Sequence, residues 1–189
     1  MSLVALDTQV LTWAVQALHE KHVPIEPRKT AATPAQIAQW EERKGQAVSL
    51  LQELQDNKTT VSIPSIVLGE LLCAVPVSKH AALFDVLAKD FVVHPFDLVA
   101  SMTFAELYRL RHTDGTIDAL KAQTPPPTRE MVKADLVILA TAVRWKADRI
   151  YSHDAGLAKL AHGRIRVLEM PPRKPVQTTL PDILGKPKK

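Results

Sequence analysis

The sequence predicts an α/β domain in which a mainly parallel sheet of about five strands carries helices on both faces. Five short segments are continuously apolar or rich in β-branched residues, as strands buried on both faces tend to be. Longer segments with helical periodicity separate these strands. The predicted strands are Leu3–Leu6, Thr59–Ile63, Phe91–His94, Arg149–Ser152 and Ile165–Leu168. The predicted helices cover 8–20, 34–56, 65–74, 79–89, 97–111 and 130–147.

The length of 189 residues fits one domain with additional arms. We assign residues 1–170 to the domain, with inserted arms near 23–46 and 112–130, and residues 171–189 to a tail rich in proline and lysine. Asp97 precedes an apolar-periodic segment and is expected to cap its helix.

Composition narrows the cellular setting. The single cysteine, Cys73, excludes an internal disulfide and fits a reducing compartment, and its apolar neighbours predict a packed side chain. No segment approaches the ~20 apolar residues that a membrane-spanning helix needs, so we expect no membrane association. The N-terminus lacks a basic region before its apolar residues, which favours a cytoplasmic protein.

The net charge of +4 belongs to the tail. Residues 171–189 contain five of the 24 lysines and arginines and one of the 20 aspartates and glutamates, so residues 1–170 are neutral overall. Nucleic acid would therefore have to use local basic patches on the domain. The candidates are Arg109, Arg111, Lys133 and Lys146.

Two aspartates follow predicted strands. Asp7 comes directly after the first strand and is followed by Thr8, while Asp154 follows the fourth strand and comes two residues after Ser152. Ligands of open α/β sheets bind outside the carboxyl ends of the strands, which places both acids well for chemistry. Each aspartate could instead cap the helix that follows it.

Two further acids lie on predicted helices. Glu70 is the sole charged residue between Val61 and Ser78, and Gly69 and Cys73 flank it on its helix. Asp135 precedes eight uncharged residues and should face the edge of the core. Glu70 could instead be an ordinary surface glutamate, and Asp135 a helix cap.

Four carboxylates at one sheet edge would repel one another unless a divalent cation offset their charge. Oxygen ligands suit Mg²⁺ or Mn²⁺ rather than zinc. Such a site is what phosphodiester hydrolysis requires.

The sequence resembles the PIN-domain nucleases. Four segments carry the resemblance in the order found in that family, and with the elements between them they cover most of residues 1–170. They are Val4–Thr8 (VALDT), Pro64–Leu71 (PSIVLGEL), Asp135–Ala142 (DLVILATA) and Ile150–Asp154 (IYSHD). The resemblance implies a Rossmann-like fold and a Mg²⁺- or Mn²⁺-dependent endoribonuclease.

The resemblance also implies roles for individual residues. Asp7, Asp135 and Asp154 would hold the metal, Glu70 would complete the catalytic cluster, and Thr8 and Ser152 would orient the site. Many small bacterial members are VapC-type toxins, which are held inactive by an antitoxin protein and are usually homodimers. An RNA substrate, an antitoxin and a homodimer are therefore the expected partners.

Two other functions that place acids at strand ends fit the sequence poorly. A haloacid-dehalogenase phosphatase needs a second aspartate where Gln9 stands, and a receiver domain needs a lysine after the last strand, where the chain has Glu169. A PIN-like scaffold without catalysis, which binds RNA or a protein, remains as the alternative. The three tryptophans are interpreted as core or interface residues, and His153 as a strand-end residue that could contact substrate. The tryptophans are Trp13, Trp40 and Trp145.

Overall fold

The computed structural model describes residues 2–19, 33–161 and 163–173. Within them, a five-stranded sheet has the order β3-β2-β1-β4-β5, and every neighbouring pair is parallel. The strands are β1 (Leu3–Leu6), β2 (Thr60–Pro64), β3 (Val92–His94), β4 (Arg149–Tyr151) and β5 (Arg166–Leu168). This sheet confirms the predicted fold class and all five predicted strands.

Helices connect the strands and cover the sheet. They are α1 (Thr8–His19), α2 (Pro34–Asp56), α3 (Ser65–Cys73), α4 (His80–Asp90), α5 (Leu98–Thr113), α6 (Thr116–Lys121), α7 (Arg129–Arg144) and α8 (Ala155–Ala161), with a 3₁₀ turn at Val77–Lys79. Right-handed crossovers place α1 and α2 on one face of the sheet and α5 to α8 on the other. Helix α3 contacts both α1 and α7.

The central strand β1 fixes the position of the site. Val4, Ala5 and Leu6 have no solvent exposure, and they pair with β2 on one side and β4 on the other. The backbone N–H of Asp7 still donates to the carbonyl of Tyr151, at 3.1 Å, so the ladder continues one residue past the strand. Asp7 therefore lies at the carboxyl edge of the sheet, between the ends of the neighbouring strands β2 and β4.

The two predicted arms contain regular structure. Thr33 and Gln36 form a capping box at the start of α2, so residues 34–46 are the first half of a long helix. Helix α6 lies within 112–130 and buries Ile117 and Leu120. Residues 20–32, which include the start of the first arm, and residues 174–189 of the tail lie outside the described residues.

Two expectations about single residues were wrong. Cys73 is exposed, because it shares the outer face of α3 with Gly69 and Glu70. Arg111, a candidate for an RNA-binding patch, is 2% exposed; its Nε donates to the carbonyl of Leu160 at 3.0 Å, and Nη1 donates to Asp114. In the described ranges, no helix is both long and apolar enough to cross a membrane.

Candidate active site

Asp7 is buried, with 8% of its surface exposed, and both carboxylate oxygens accept hydrogen bonds. The backbone N–H of Thr8 donates to Oδ1 at 2.6 Å, and the hydroxyl of Ser152 donates to Oδ2 at 2.6 Å. Burial raises the pKa of Asp7; these two hydrogen bonds oppose the shift, and the charges of Asp154 and Glu70 add to it. The carboxylate is thus held firmly in an unfavourable environment.

Asp154 is connected to Asp7 through Ser152. The backbone N–H of Asp154 donates to the Ser152 hydroxyl at 2.9 Å, the same hydroxyl that donates to Asp7. Asp154 Oδ1 accepts from the N–H groups of Gly156 and Leu157, at 2.5 and 3.2 Å, so Asp154 does cap α8. Capping occupies one carboxylate oxygen, and these contacts are compatible with a second role for the other.

Glu70 reaches the same group of residues from α3. Its side chain is exposed, and Oε2 accepts a hydrogen bond from the hydroxyl of Thr8. A continuous path of contacts therefore runs from Glu70 through Thr8, Asp7 and Ser152 to Asp154. We call these three acids together with Asp135 the acidic cluster.

Asp135 differs from the other three acids. It lies in the middle of α7, whose N-cap is Thr128, so the capping interpretation of Asp135 is excluded. Among the described residues no hydrogen bond reaches its carboxylate. Burial, followed by the charges of Asp154, Asp7 and Glu70, raises the pKa of Asp135 to about 8. Its charged form is the least favourable part of the cluster.

The acidic cluster has the ligand chemistry for a hard divalent cation. Its side-chain ligands are carboxylate oxygens, with hydroxyls beside them, and its members disfavour one another's charge. As the side chains stand in the described ranges, no three histidine, cysteine or acidic residues are gathered closely enough to hold a metal ion. The oxygens of Asp7, Asp154 and Glu70 instead accept protein N–H and O–H groups. Binding an ion would therefore require side-chain rotation within the cluster.

The remaining basic candidates are dispersed. Arg109 is exposed on α5, and Lys133 is partly exposed two residues before Asp135 on α7. Lys146 is exposed in the turn that leads into β4, whereas Asp154 follows the opposite end of that strand. Lys133 is thus the basic candidate nearest to the cluster along the chain.

Sequence reasoning missed a pocket beside the cluster. Trp13, Trp40, Arg43 and His153 line it together with three glutamines. Trp13 is 7% exposed and fits the predicted core role, but Trp40 is 41% exposed. Helical spacing of Gln36, Trp40 and Arg43 on α2 was the available signal, and it was obscured because residues 23–46 were assigned to an arm.

No protein-family model and no curated protein matches the chain. Among solved structures, the chain is similar to one described as VapBC2 from Rickettsia felis bound to a DNA fragment from their promoter. The TM-score is 0.55 at 17% sequence identity, over 88% of this chain and 98% of that one. A likeness at this identity shows the fold, so the chain has the PIN-like fold that the sequence resemblance predicted.

Proposed function

We propose that this protein is a divalent-metal-dependent endoribonuclease that hydrolyses RNA phosphodiester bonds at the acidic cluster. The observation that carries the proposal is the path of hydrogen bonds that runs from Glu70 through Thr8, Asp7 and Ser152 to Asp154. The pKa of Asp135, raised by burial and by these three neighbouring carboxylates, agrees with it, because an arrangement that costs folding energy favours a functional origin over a structural one. The acidic cluster lies at the carboxyl edge of a parallel sheet, where ligands of such sheets bind, and this position supports the same conclusion.

Each residue has a proposed role. Asp7, Asp135 and Asp154 would hold Mg²⁺ or Mn²⁺, and Glu70 would add the fourth charge. A bound divalent ion supplies Lewis-acid activation of water and neutralises charge on the phosphate. Ser152 and Thr8 keep Asp7 and Glu70 in position through their hydroxyl hydrogen bonds. Asp135 must give up its proton to bind the ion, so affinity for metal should rise with pH.

The alternative is a PIN-like scaffold that binds RNA or a protein without cleaving RNA. It is favoured by the absence, among the described residues, of three acids already gathered around an ion position. It does not explain why Asp135 is placed beside three like charges without a hydrogen-bond partner in the described ranges. We therefore favour the nuclease.

Partners follow from the same proposal. One solved structure with a similar fold is of VapBC2, with promoter DNA bound. By analogy we propose that this protein acts as the toxin of a toxin–antitoxin pair, forms a homodimer and is inhibited by its antitoxin. Co-purification with the product of an adjacent reading frame, and loss of RNA cleavage in that complex, would test this role.

A cleavage assay tests the central proposal. Defined single-stranded RNAs would be incubated with the protein in Mg²⁺, in Mn²⁺ and in EDTA. We expect cleavage with either metal and none in EDTA. Asp7→Asn should remove activity, since it deletes a ligand charge while keeping the shape of the side chain.

The matched control is Asp85→Asn, because Asp85 is an exposed acid on α4 outside the cluster. This variant should cleave at the wild-type rate. Cleavage in EDTA, or equal rates for Asp7→Asn and the wild type, would reject the metal-dependent nuclease.

A further inference from the structure

A pocket of about 450 Å³ lies between α1, α2 and the loop that joins β4 to α8. Its walls are two tryptophan rings, an arginine, a histidine and the side-chain amides of Gln9, Gln36 and Gln39. Among the described lining residues, Arg43 carries a permanent charge, and this charge is positive although the pocket adjoins an acidic site. We call it the aromatic pocket.

The aromatic pocket shares its wall with the acidic cluster. Gln9 comes two residues after Asp7, and Trp13 follows one helical turn later on α1. His153 stands between Ser152 and Asp154 and packs against Trp13. A ligand in the pocket therefore lies beside the segments that carry Asp7 and Asp154.

Contacts between its walls preform the pocket. Arg43 Nη1 lies 3.1 Å from His153 Nε2, and the Arg43 guanidinium lies 5.9 Å from the centre of the Trp13 ring. The Trp13 ring meets His153 and Trp40 edge to face, with centroid distances of 5.5 and 6.0 Å. Helix α2 is thereby joined to the β4–α8 loop, and little ordering would be needed on binding.

The walls of the pocket offer ring and amide groups to a ligand in the part of the chain that the structure describes. Trp40 is 41% exposed, which leaves ring surface available for stacking. In the same part of the chain, the amides of Gln9 and Gln39 make no hydrogen bond, and each can both donate and accept.

We propose that the aromatic pocket binds one base of a single-stranded RNA whose backbone passes the acidic cluster. Bases of single-stranded RNA stack on aromatic rings and expose donor and acceptor edges that amides can pair with. The positive charge of Arg43 suits the adjacent phosphate, and none of the described lining residues carries a carboxylate. The inference rests on the proposed ribonuclease function and adds a base-binding subsite to it.

The test measures binding of a fluorescein-labelled RNA pentamer in EDTA, so that binding is read without cleavage. Trp40→Ala should weaken affinity roughly tenfold or more, the range expected for one lost base–aromatic stack. Trp40→Phe retains an aromatic face and should recover much of the loss. Ile37→Ala is the matched control, because Ile37 is 53% exposed on the same helix but does not line the pocket.

Pentamers with one abasic position identify the bound base. Removing that base should weaken wild-type binding, and Trp40→Ala should then cause no further loss. Wild-type affinity in Trp40→Ala overturns the proposal, and so does a UMP or AMP mononucleotide that binds as tightly as the pentamer. Loss of the oligomer in Trp40→Ala with unchanged RNA affinity also overturns it, by assigning Trp40 to a protein contact.

These outcomes are separable from those of the cleavage assay. Trp40-dependent binding without cleavage by the wild-type protein would reject the nuclease and retain the base pocket. Cleavage that requires Asp7, together with RNA binding that is indifferent to Trp40, would retain the nuclease and reject the pocket.

Discussion

Arg111 and Asp135 are ionisable side chains on the neighbouring helices α5 and α7, and they differ in burial and in hydrogen bonding. Arg111 is fully buried, yet its guanidinium donates to the Leu160 carbonyl and to Asp114. Asp135 is only partly buried, but among the described residues nothing donates a hydrogen bond to it, and three like charges act on it. The more deeply buried charge is thus the better satisfied one.

The difference separates a structural charge from a functional one. A buried charge with its hydrogen bonds satisfied fixes how α5 meets α8, and removing it should cost stability. A carboxylate that lies beside other carboxylates lowers the stability of the fold, so its presence indicates a role in binding a ligand. Burial alone would have marked Arg111, the more deeply buried residue, as the better candidate for a functional site than Asp135.

The largest effect on stability is expected for Arg111→Ala. The change leaves a cavity and deprives the Leu160 carbonyl of a donor, while Asp114 can still turn to solvent. We expect a loss of about 3 kcal/mol in the free energy of unfolding, measured by urea denaturation. Arg109→Ala, at an exposed position on the same helix, is the control and should change stability little. Equal effects of the two substitutions would show that the buried contacts contribute nothing.

Asp135→Asn should move activity and stability in opposite directions. RNA cleavage should fall roughly a hundredfold or more, since a charged ligand is lost. In EDTA at alkaline pH, the unfolding midpoint should rise, because the cluster loses one of four mutually repelling charges. Parallel cleavage and urea-denaturation measurements on one preparation would test both. A variant that lost activity and stability together would make Asp135 a structural residue like Arg111.

The fold was predictable because its signals are local and redundant. Each strand is an apolar run, and each predicted helix spans at least two turns with a clear periodicity. Helix α6 escaped prediction because six residues with two apolar positions, Ile117 and Leu120, give little periodicity within a polar, proline-rich segment. The α2 boundary was clear from the helical pattern, but the arm assigned around it concealed the functional potential of Trp40 and Arg43.

The acids of the candidate site were also visible in the sequence, but their environments were not. Asp7, Glu70, Asp135 and Asp154 stand out by their positions relative to apolar segments. Their hydrogen-bond partners do not, because Ser152 is 145 residues from Asp7 and Thr8 is 62 residues from Glu70. For the same reason, the burial of Arg111 against Leu160, 49 residues away, could not be inferred from its charge.

The dependence of stability on pH should distinguish the wild type from Asp135→Asn in EDTA. The pKa of Asp135 is about 8 in the folded protein, whereas an ordinary aspartate has a pKa of 3.8, so the folded state binds this proton more tightly. Its contribution to stability is therefore complete below about pH 4 and is lost as pH rises through 8. Relative to Asp135→Asn, the wild type should become less stable between about pH 5 and pH 9.

Urea denaturation across that pH range measures the difference between the two proteins and cancels the titration of groups outside the acidic cluster. Asp85→Asn should track the wild type throughout. A constant difference between wild type and Asp135→Asn would contradict the raised pKa. Saturating Mg²⁺ should stabilise the wild type more at pH 8 than at pH 5, because the ion competes with this proton.

The smallest stability effects are expected at Asp154, which combines the two kinds of charge. It caps α8 through Gly156 and Leu157, as a structural residue would, and it belongs to the repelling cluster. Asparagine caps helices about as well as aspartate and removes one repelling charge, so Asp154→Asn should not lower the unfolding free energy but should abolish metal-dependent cleavage. Asp154→Ala should lose the same activity and about 1 kcal/mol of stability as well. The difference in unfolding free energy between these two variants, measured by urea denaturation, gives the contribution of the helix cap. The loss of cleavage that both variants share gives the contribution of the Asp154 charge. Wild-type cleavage by Asp154→Asn would leave capping as the role of this residue and reduce the proposed metal ligands to Asp7 and Asp135.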